Sequence, residues 1–535
     1  MEIARLNLLL RSLARRETLP SLADNIRRGN SLISGGEAEL RPYFGDSWTE
    51  RRPFNWDQAF PSIMKKGGFD IVVGNPPYVR IQMLPRDEAE YYRNHYDTAF
   101  GSFDIYILFI ERAIRLLNPG GRLGLIISSK FLKSQYGTRV LEMIRREGTV
   151  ETIVDLSAQT VFAEATTYPA ILIMKKGSGD VPLHYIPVPE KVTDSHATSA
   201  MEIESLPSVI ADQGALTKRI WPPLATGDTL WQKLTANAEP LGESAGRIFQ
   251  GLITSADRVY ILEKLGDTGQ GLVRVRSRET GKIHELESEV LRPLLSGQDI
   301  KRYSTPDPKN LLLFPYRVCS GGAKLISISE FANEHPRCWQ YLLQNRSTLE
   351  GRERNKMCHE EWYAYVYPKN LALHDLPKFA IPRLVKHLEA VYDNSGSFYL
   401  DNVDVGGIIL KDGAEENYLY VLGLLHSRLI DFCFRRLSAP FRGDFRSANR
   451  QFIEPLPIRR IDFSDPTDQE THNDIVTLVQ RMLHLHRELH QTPPEHTEAR
   501  REVEREIEHT NQAIDTIVYD LYGLKREEKE IIVTS

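Results

Sequence analysis

Asn75-Pro76-Pro77-Tyr78 puts an amide side chain, a bare backbone carbonyl and an aromatic face into four consecutive residues. The prolines fix φ, and the restriction on a residue preceding proline holds Asn75 extended. So rigid a loop suits a planar ring bearing an exocyclic amine. The Asn75 side-chain oxygen and the Pro76 carbonyl each accept one N–H, while Tyr78 stacks on the ring. An aromatic amine such as adenine N6 is a poor nucleophile because its lone pair is delocalised into the ring. Two acceptors on its hydrogens favour a tetrahedral nitrogen. They strengthen most as positive charge develops, so they stabilise transfer to an electrophile preferentially. A base inside duplex DNA cannot reach such a loop and has to be flipped out of the stack.

The elements around the loop must present it. Phe69 to Gly74 is a short β-branched apolar run, which predicts a strand ending directly at Asn75. Ser102 to Leu117 carries apolar residues at a helical period, and Asn118-Pro119-Gly120-Gly121 predicts its stop. A strand over Arg122 to Ser129, a helix around Gly137 to Arg146 and strands over Val150 to Ser157 and Tyr168 to Lys176 follow. The alternation predicts an α/β sheet covered by helices, with one of the last two strands running antiparallel. In such sheets ligands bind beyond the carboxyl ends of the strands, which is where the tetrapeptide falls.

The chain has 535 residues, too many for one core. The expected organisation is a catalytic domain over 1–176, a connection over 177–241, a second domain over 242–460 rich in short strands and aromatic residues, and a helical region over 461–535 with a hairpin split near Pro493. A net charge of -5 excludes a histone-like mode of nucleic-acid binding and leaves local basic surfaces available. Cys319, Cys338, Cys358 and Cys433 form no CxxC pair, which reads as a reducing cytoplasm and no metal site. No run approaches the ~18 apolar residues of a membrane helix.

With these residues in place, the chain resembles the amino-group DNA methyltransferases that use S-adenosylmethionine. More closely it resembles the methylase and specificity portion of type IIG restriction–modification enzymes with a TaqI-like specificity domain. Residues 25–33, 101–132 and 161–176 resemble the family's neighbouring segments in the right order. The tetrapeptide alone also occurs in methyltransferases acting on glutamine of release factors and on RNA guanine. The resemblance implies a partial doubly wound Rossmann-like sheet, followed by an α+β DNA-specificity domain and a helical hairpin. It implies that Asn75 and Pro76 hold the adenine amine, that Pro77 stiffens the loop and that Tyr78 stacks. Phe162, with Tyr168 as a weaker substitute, would close the other face of the base. Asn30, Asn75, Phe103 and Asp104 would approach the cofactor, although simpler relatives often carry an acidic residue at the place of Asn30.

Residues 246–262, 291–303, the Leu376–Leu384 stretch and 418–458 resemble successive parts of the specificity domain. Arg435, Arg436, Arg442, Arg446 and Arg450 accompany a single acid, Asp444, which predicts phosphate contacts to double-stranded DNA. Lys301, Arg302 and Lys386 are further candidates.

Two expected features are missing. No glycine-rich loop follows a first strand, and no acidic residue ends a second. By resemblance, the helical pattern over 1–13 is the one that follows the acidic position. The expectation is therefore an adenine-N6 methyltransferase that is either a truncated gene product or one half of a split enzyme, completed by a separate N-terminal methyltransferase or nuclease half. A DNA-binding specificity subunit without its own catalysis is the alternative. Without a neighbour, Phe69 to Val73 would form an unpaired apolar edge on both faces.

Overall fold

The structure, a computed structural model, describes residues 25–132, 134–156, 168–179, 181–188, 206–217, 229–319, 322–411, 417–438 and 444–534. The predicted N-terminal helix, Phe162 and Arg442 lie outside these residues. The chain divides into two compact units, Met1–Asp228 and Thr229–Ser535, a division that falls within the expected connection.

In the first unit, α1 (Glu37–Phe44) precedes β1 (Phe69–Gly74), α2 (Arg86–His95), α3 (Tyr106–Leu116), β2 (Leu117–Ser128), α4 (Thr138–Glu147), β3 (Gly148–Asp155), β4 (Pro169–Lys176), β5 (Leu183–Pro187) and β6 (Val209–Ala211). The sheet order is β1-β2-β4-β3-β5-β6. β1 and β2 are parallel, with Val72 opposite Leu123, and β4 runs antiparallel to both β2 and β3. The core forms where α3 buries Tyr106, Ile107, Ile110 and Ile114 and α4 buries Val140, Leu141 and Ile144. The predicted stop is present, since α3 ends at Leu116, and residues 118–121 run on directly within β2. Gly120 supplies a φ of 83°, and the register slips between Phe69 opposite Leu117 and Ile71 opposite Arg122. The parallel pair absorbs the irregularity as a bulge.

Among the described residues β1 is the sheet's outermost strand. Val72 packs into the core and Phe69 is covered by Trp56 and Phe60, but Ile71 and Val73 are 66% and 76% exposed. The apolar edge predicted from sequence is therefore present and bare on one face rather than two.

In the second unit a sheet is ordered β10-β9-β8-β12-β11-β15. Its strands are β8 (Ile261–Gly269), β9 (Leu272–Ser277), β10 (Ile283–Glu287), β11 (Leu291–Leu295), β12 (Asn310–Leu313) and β15 (Tyr399–Leu400). A second sheet is ordered β14-β13-β16-β7, from β7 (Ala245–Gln250), β13 (Lys378–Pro382), β14 (Val391–Asp393) and β16 (Val405–Leu410). Helices α5 (Tyr418–His426) and α6 (Arg428–Leu437) meet at Ser427, whose hydroxyl accepts the Ile430 N–H as the cap of α6. The predicted hairpin is α7 (Pro466–Gln491) and α8 (Thr497–Leu521), with α9 (Arg526–Thr534) beyond it. α7 crosses α5 at Gly423, where a Cβ would come within 2.7 Å of Ile475 and 2.9 Å of Val479.

Candidate methyl-acceptor site

Three strand ends meet at one margin of the first sheet. The tetrapeptide leaves the carboxyl end of β1, and Ser128 to Lys130 leave the carboxyl end of β2. Because β4 runs the other way, its amino end brings Tyr168 to the same margin, where the Ser129 N–H donates to the Tyr168 carbonyl at 2.7 Å. The antiparallel strand is thus what adds an aromatic ring to the site.

The tetrapeptide is clamped from behind. The Ile81 N–H donates to the Phe103 carbonyl at 3.0 Å, and the Ile105 N–H donates to the Val79 carbonyl at 2.8 Å. Arg80 and Asp104 form the bridge between them, so the loop and the entry to α3 move as one piece. Pro76 is buried and Asn75 is exposed. Neither the Asn75 side chain nor the Pro76 carbonyl accepts a hydrogen bond from a described residue. The Tyr78 ring lies 6.0 Å from the Tyr106 ring, and burial pushes its hydroxyl up to about 12. Burial also raises Tyr168, whose buried hydroxyl oxygen finds no hydrogen-bond partner among the described residues.

The remaining sequence-predicted residues separate into several groups. Asp104 is half-buried beside the clamp. Phe103 is fully buried, its side chain in the core and its carbonyl bonded to the Ile81 N–H. Asn30 is also accounted for locally: its side-chain oxygen accepts the Leu32 N–H at 3.1 Å and its own N–H donates to Arg52 at 2.7 Å. Periodicity could not distinguish a buried aromatic from one facing a ligand.

The basic cluster of the second unit is less open than its charge implied. Arg446 is half-buried and donates to the carbonyls of Arg435 (2.8 Å) and Ser438 (3.3 Å), which lowers its availability to a phosphate. Arg302 donates to the His426 carbonyl and to Asn511. Arg435 lies 3.8 Å from Asp431, and Arg436 sits 4.8 Å over the Phe432 ring. Arg450 forms a two-pronged pair with Glu454 at 3.0 Å on the surface. Lys301 and Lys386 are exposed, Lys386 lying 5.5 Å from the centre of the Phe445 ring. Of the predicted DNA contacts, these two lysines and Arg450 face solvent most directly.

Sequence reasoning passed over two cations at the margin of the first sheet, Arg80 and Lys130. Desolvation draws Lys130 below the usual lysine range, with Asp104 opposing the shift and Arg80 adding to it. Its ammonium lies 5.2 Å from the centre of the Tyr168 ring. Proximity of Arg80 to Lys130 could not be read from residues fifty positions apart in the chain.

Among the described residues no group of His, Cys, Asp and Glu is arranged to hold a metal ion, and no helix is long and apolar enough to cross a membrane.

Residues 1–162 match the Eco57I restriction-modification methylase family, and residues 292–458 match the TaqI-like C-terminal specificity domain. Over 96% of its length the chain is 25% identical to the type II restriction enzyme and methyltransferase RM.Eco57I of Escherichia coli, of which it spans 51%. It is 26% identical to the type II methyltransferase M.PaeR7I of Pseudomonas aeruginosa, covering 87% of this chain and 72% of that protein. The chain therefore spans about half the length of the first of these relatives. Among solved structures, the type IIL restriction-modification enzyme MmeI in complex with DNA superposes with a TM-score of 0.54 at 11% identity, over 90% of this chain and 59% of that one. The likeness supports a shared fold. The chain thus carries a match to the Eco57I restriction-modification methylase model followed by one to the TaqI-like C-terminal specificity domain model.

Proposed function

We infer that the chain is the modification and specificity part of a restriction–modification system, a site-specific DNA methyltransferase acting on adenine N6 of double-stranded DNA. S-adenosylmethionine is the methyl donor this reading requires. The observation that carries it is the pair of open acceptors, the Asn75 side chain and the Pro76 carbonyl, set beside Tyr78 at the end of β1. Two acceptors match the two hydrogens of a flipped exocyclic amine and leave its lone pair facing outward. The methylated ammonium then loses its proton readily, so the chain needs no strong base. Of the residues assigned to the donor, Asn75 and Asp104 stand at the clamp, while Phe103 and Asn30 are occupied elsewhere. The described residues thus hold the accepting amine more fully than the donor. The specificity domain supplies the exposed cations expected of a duplex partner.

The test is methyl transfer from labelled S-adenosylmethionine to duplex DNA, with the products digested to nucleosides. The label is expected in N6-methyladenine. Asn75→Ala should lower the rate by about 10²–10³-fold, the cost of one preorganised group at a developing charge, while DNA binding is retained. Label in cytosine, or full activity without the Asn75 amide, would refute the reading. DNA binding without any transfer would favour a specificity subunit that lacks independent catalysis, a reading to which the occupied donor positions lend support.

A further inference from the structure

Several charges in the first unit are paired. Arg51 bonds Asp87 and Glu88, Arg122 bonds Glu151, and Arg115 reaches the buried Glu111. Arg80 and Lys130 are set apart by position, one just past the end of β1 and the other just past the end of β2. Both are exposed at the margin where the tetrapeptide emerges, and neither makes an ion pair or a side-chain hydrogen bond with a described residue. They are close enough that the charge of Arg80 disfavours the charged form of Lys130. Asp104 is the carboxylate nearby, and it stays beyond ion-pair distance of the lysine. Two like charges held near one another with no counter-ion bonded to either make a place where an anion is welcome.

The surroundings narrow the class of anion. Lys130 stands over the Tyr168 ring, and Tyr78 lies two residues before Arg80 in the chain. Aromatic rings beside cations are how proteins hold unstacked nucleotides: the rings take bases and the cations take the backbone. A nucleotide whose base occupies the clamp carries a phosphate on either side of its sugar, within reach of the margin where both side chains are exposed.

We propose that Arg80 and Lys130 form a phosphate clamp for the phosphodiester next to the base held by Asn75 to Tyr78. The clamp rests on the DNA reading given above and adds to it a backbone contact within the methylase segment itself. It would hold the flipped nucleotide by its strand, independently of the specificity domain's contacts to the duplex.

The experiment measures binding of the full chain to a fluorescent single-stranded oligodeoxyadenylate and to a mixed-sequence duplex, across a series of salt concentrations. The double variant Arg80→Gln/Lys130→Gln is expected to reduce the slope of log affinity against log salt by about 1, and to weaken binding roughly tenfold at low salt. Arg80→Lys/Lys130→Arg should keep the slope. A measurement on the unsubstituted chain guards against misfolding of the variants. Replacing the phosphates of the oligonucleotide with neutral methylphosphonates should cost it affinity while costing the double variant markedly less. An unchanged slope in the double variant overturns the clamp alone. So does a loss of S-adenosylmethionine binding by calorimetry with the slope intact, because the cations would then serve the donor's carboxylate. If the unsubstituted chain binds neither DNA, the DNA reading falls and the clamp with it.

Discussion

Tyr78 and Tyr106 stand with ring centroids 6.0 Å apart and planes inclined by 58°, and the Tyr106 hydroxyl is hydrogen-bonded to that of Tyr136 at 2.9 Å. The ring that would stack on a base is thus braced by a second ring tied to a third. Because burial holds the Tyr78 hydroxyl protonated to about pH 12, its contribution near neutrality is that of a neutral aromatic face. Tyr78→Ala should lower kcat/KM for DNA methylation by about 5- to 150-fold, the equivalent of ~1–3 kcal/mol of base stacking. Tyr78→Phe should stay within a few-fold of the unsubstituted chain. Steady-state transfer of labelled methyl groups checks both.

In the second unit, Lys378 and Asp393 form an ion pair at 2.6 Å with almost no exposure of either side chain. Lys378 also donates to the His374 carbonyl at 2.6 Å, and Asp393 accepts the N–H groups of Ser397 and Phe398. Lys378→Ala leaves a buried carboxylate without its cation and should cost about 3–5 kcal/mol, whereas Lys378→Met combined with Asp393→Leu should cost less. Urea-dependent proteolysis of the unit reads the difference.

His374 is held down to about 3, first by burial and then by the charge of Lys378. The unfolded chain therefore binds a proton at this residue throughout the interval from about pH 6.5 down to about 3, where the folded chain does not. Stability rises with pH across that interval and is lost on acidification, at about 1.4 kcal/mol per pH unit for this one group. Between pH 7 and pH 5 the loss should be roughly 2 kcal/mol. His374→Asn, whose side-chain oxygen can still accept the Leu400 N–H, should flatten the profile by about one proton. Denaturation midpoints at several pH values measure it.

The bare face of β1 makes a separate prediction. Ile71 and Val73 lie on an outermost strand, the geometry that invites pairing with another chain. Ile71→Lys with Val73→Thr should reduce concentration-dependent association in sedimentation velocity while leaving the fold's circular dichroism unchanged, since neither side chain packs into the core.

How far the sequence could be read depended on whether a property was local. β1 was legible to the residue, because a β-branched run followed by two prolines has few other solutions. Residues 118–121 end α3 as expected, but their membership of β2 rests on the Phe69–Ile71 register slip, which no local pattern carries. The arginines near 435–450 were counted as a charge, but counting cannot separate Arg450, which faces solvent, from Arg446, which holds two carbonyls. Arg80 and Lys130 escaped notice because strand pairing, not sequence, makes them neighbours.

The backbone stitch joining Val79 and Ile81 to Phe103 and Ile105 has an observable kinetic meaning. The amides of Ile81 and Ile105 are both consumed by it, so neither can exchange with solvent deuterium unless the loop and the start of α3 part. Their exchange rates should fall together, as a single opening event, and should slow in step when a nucleotide occupies the clamp. Two amides on separate peptides would then report the residence of a flipped base without any label on the DNA.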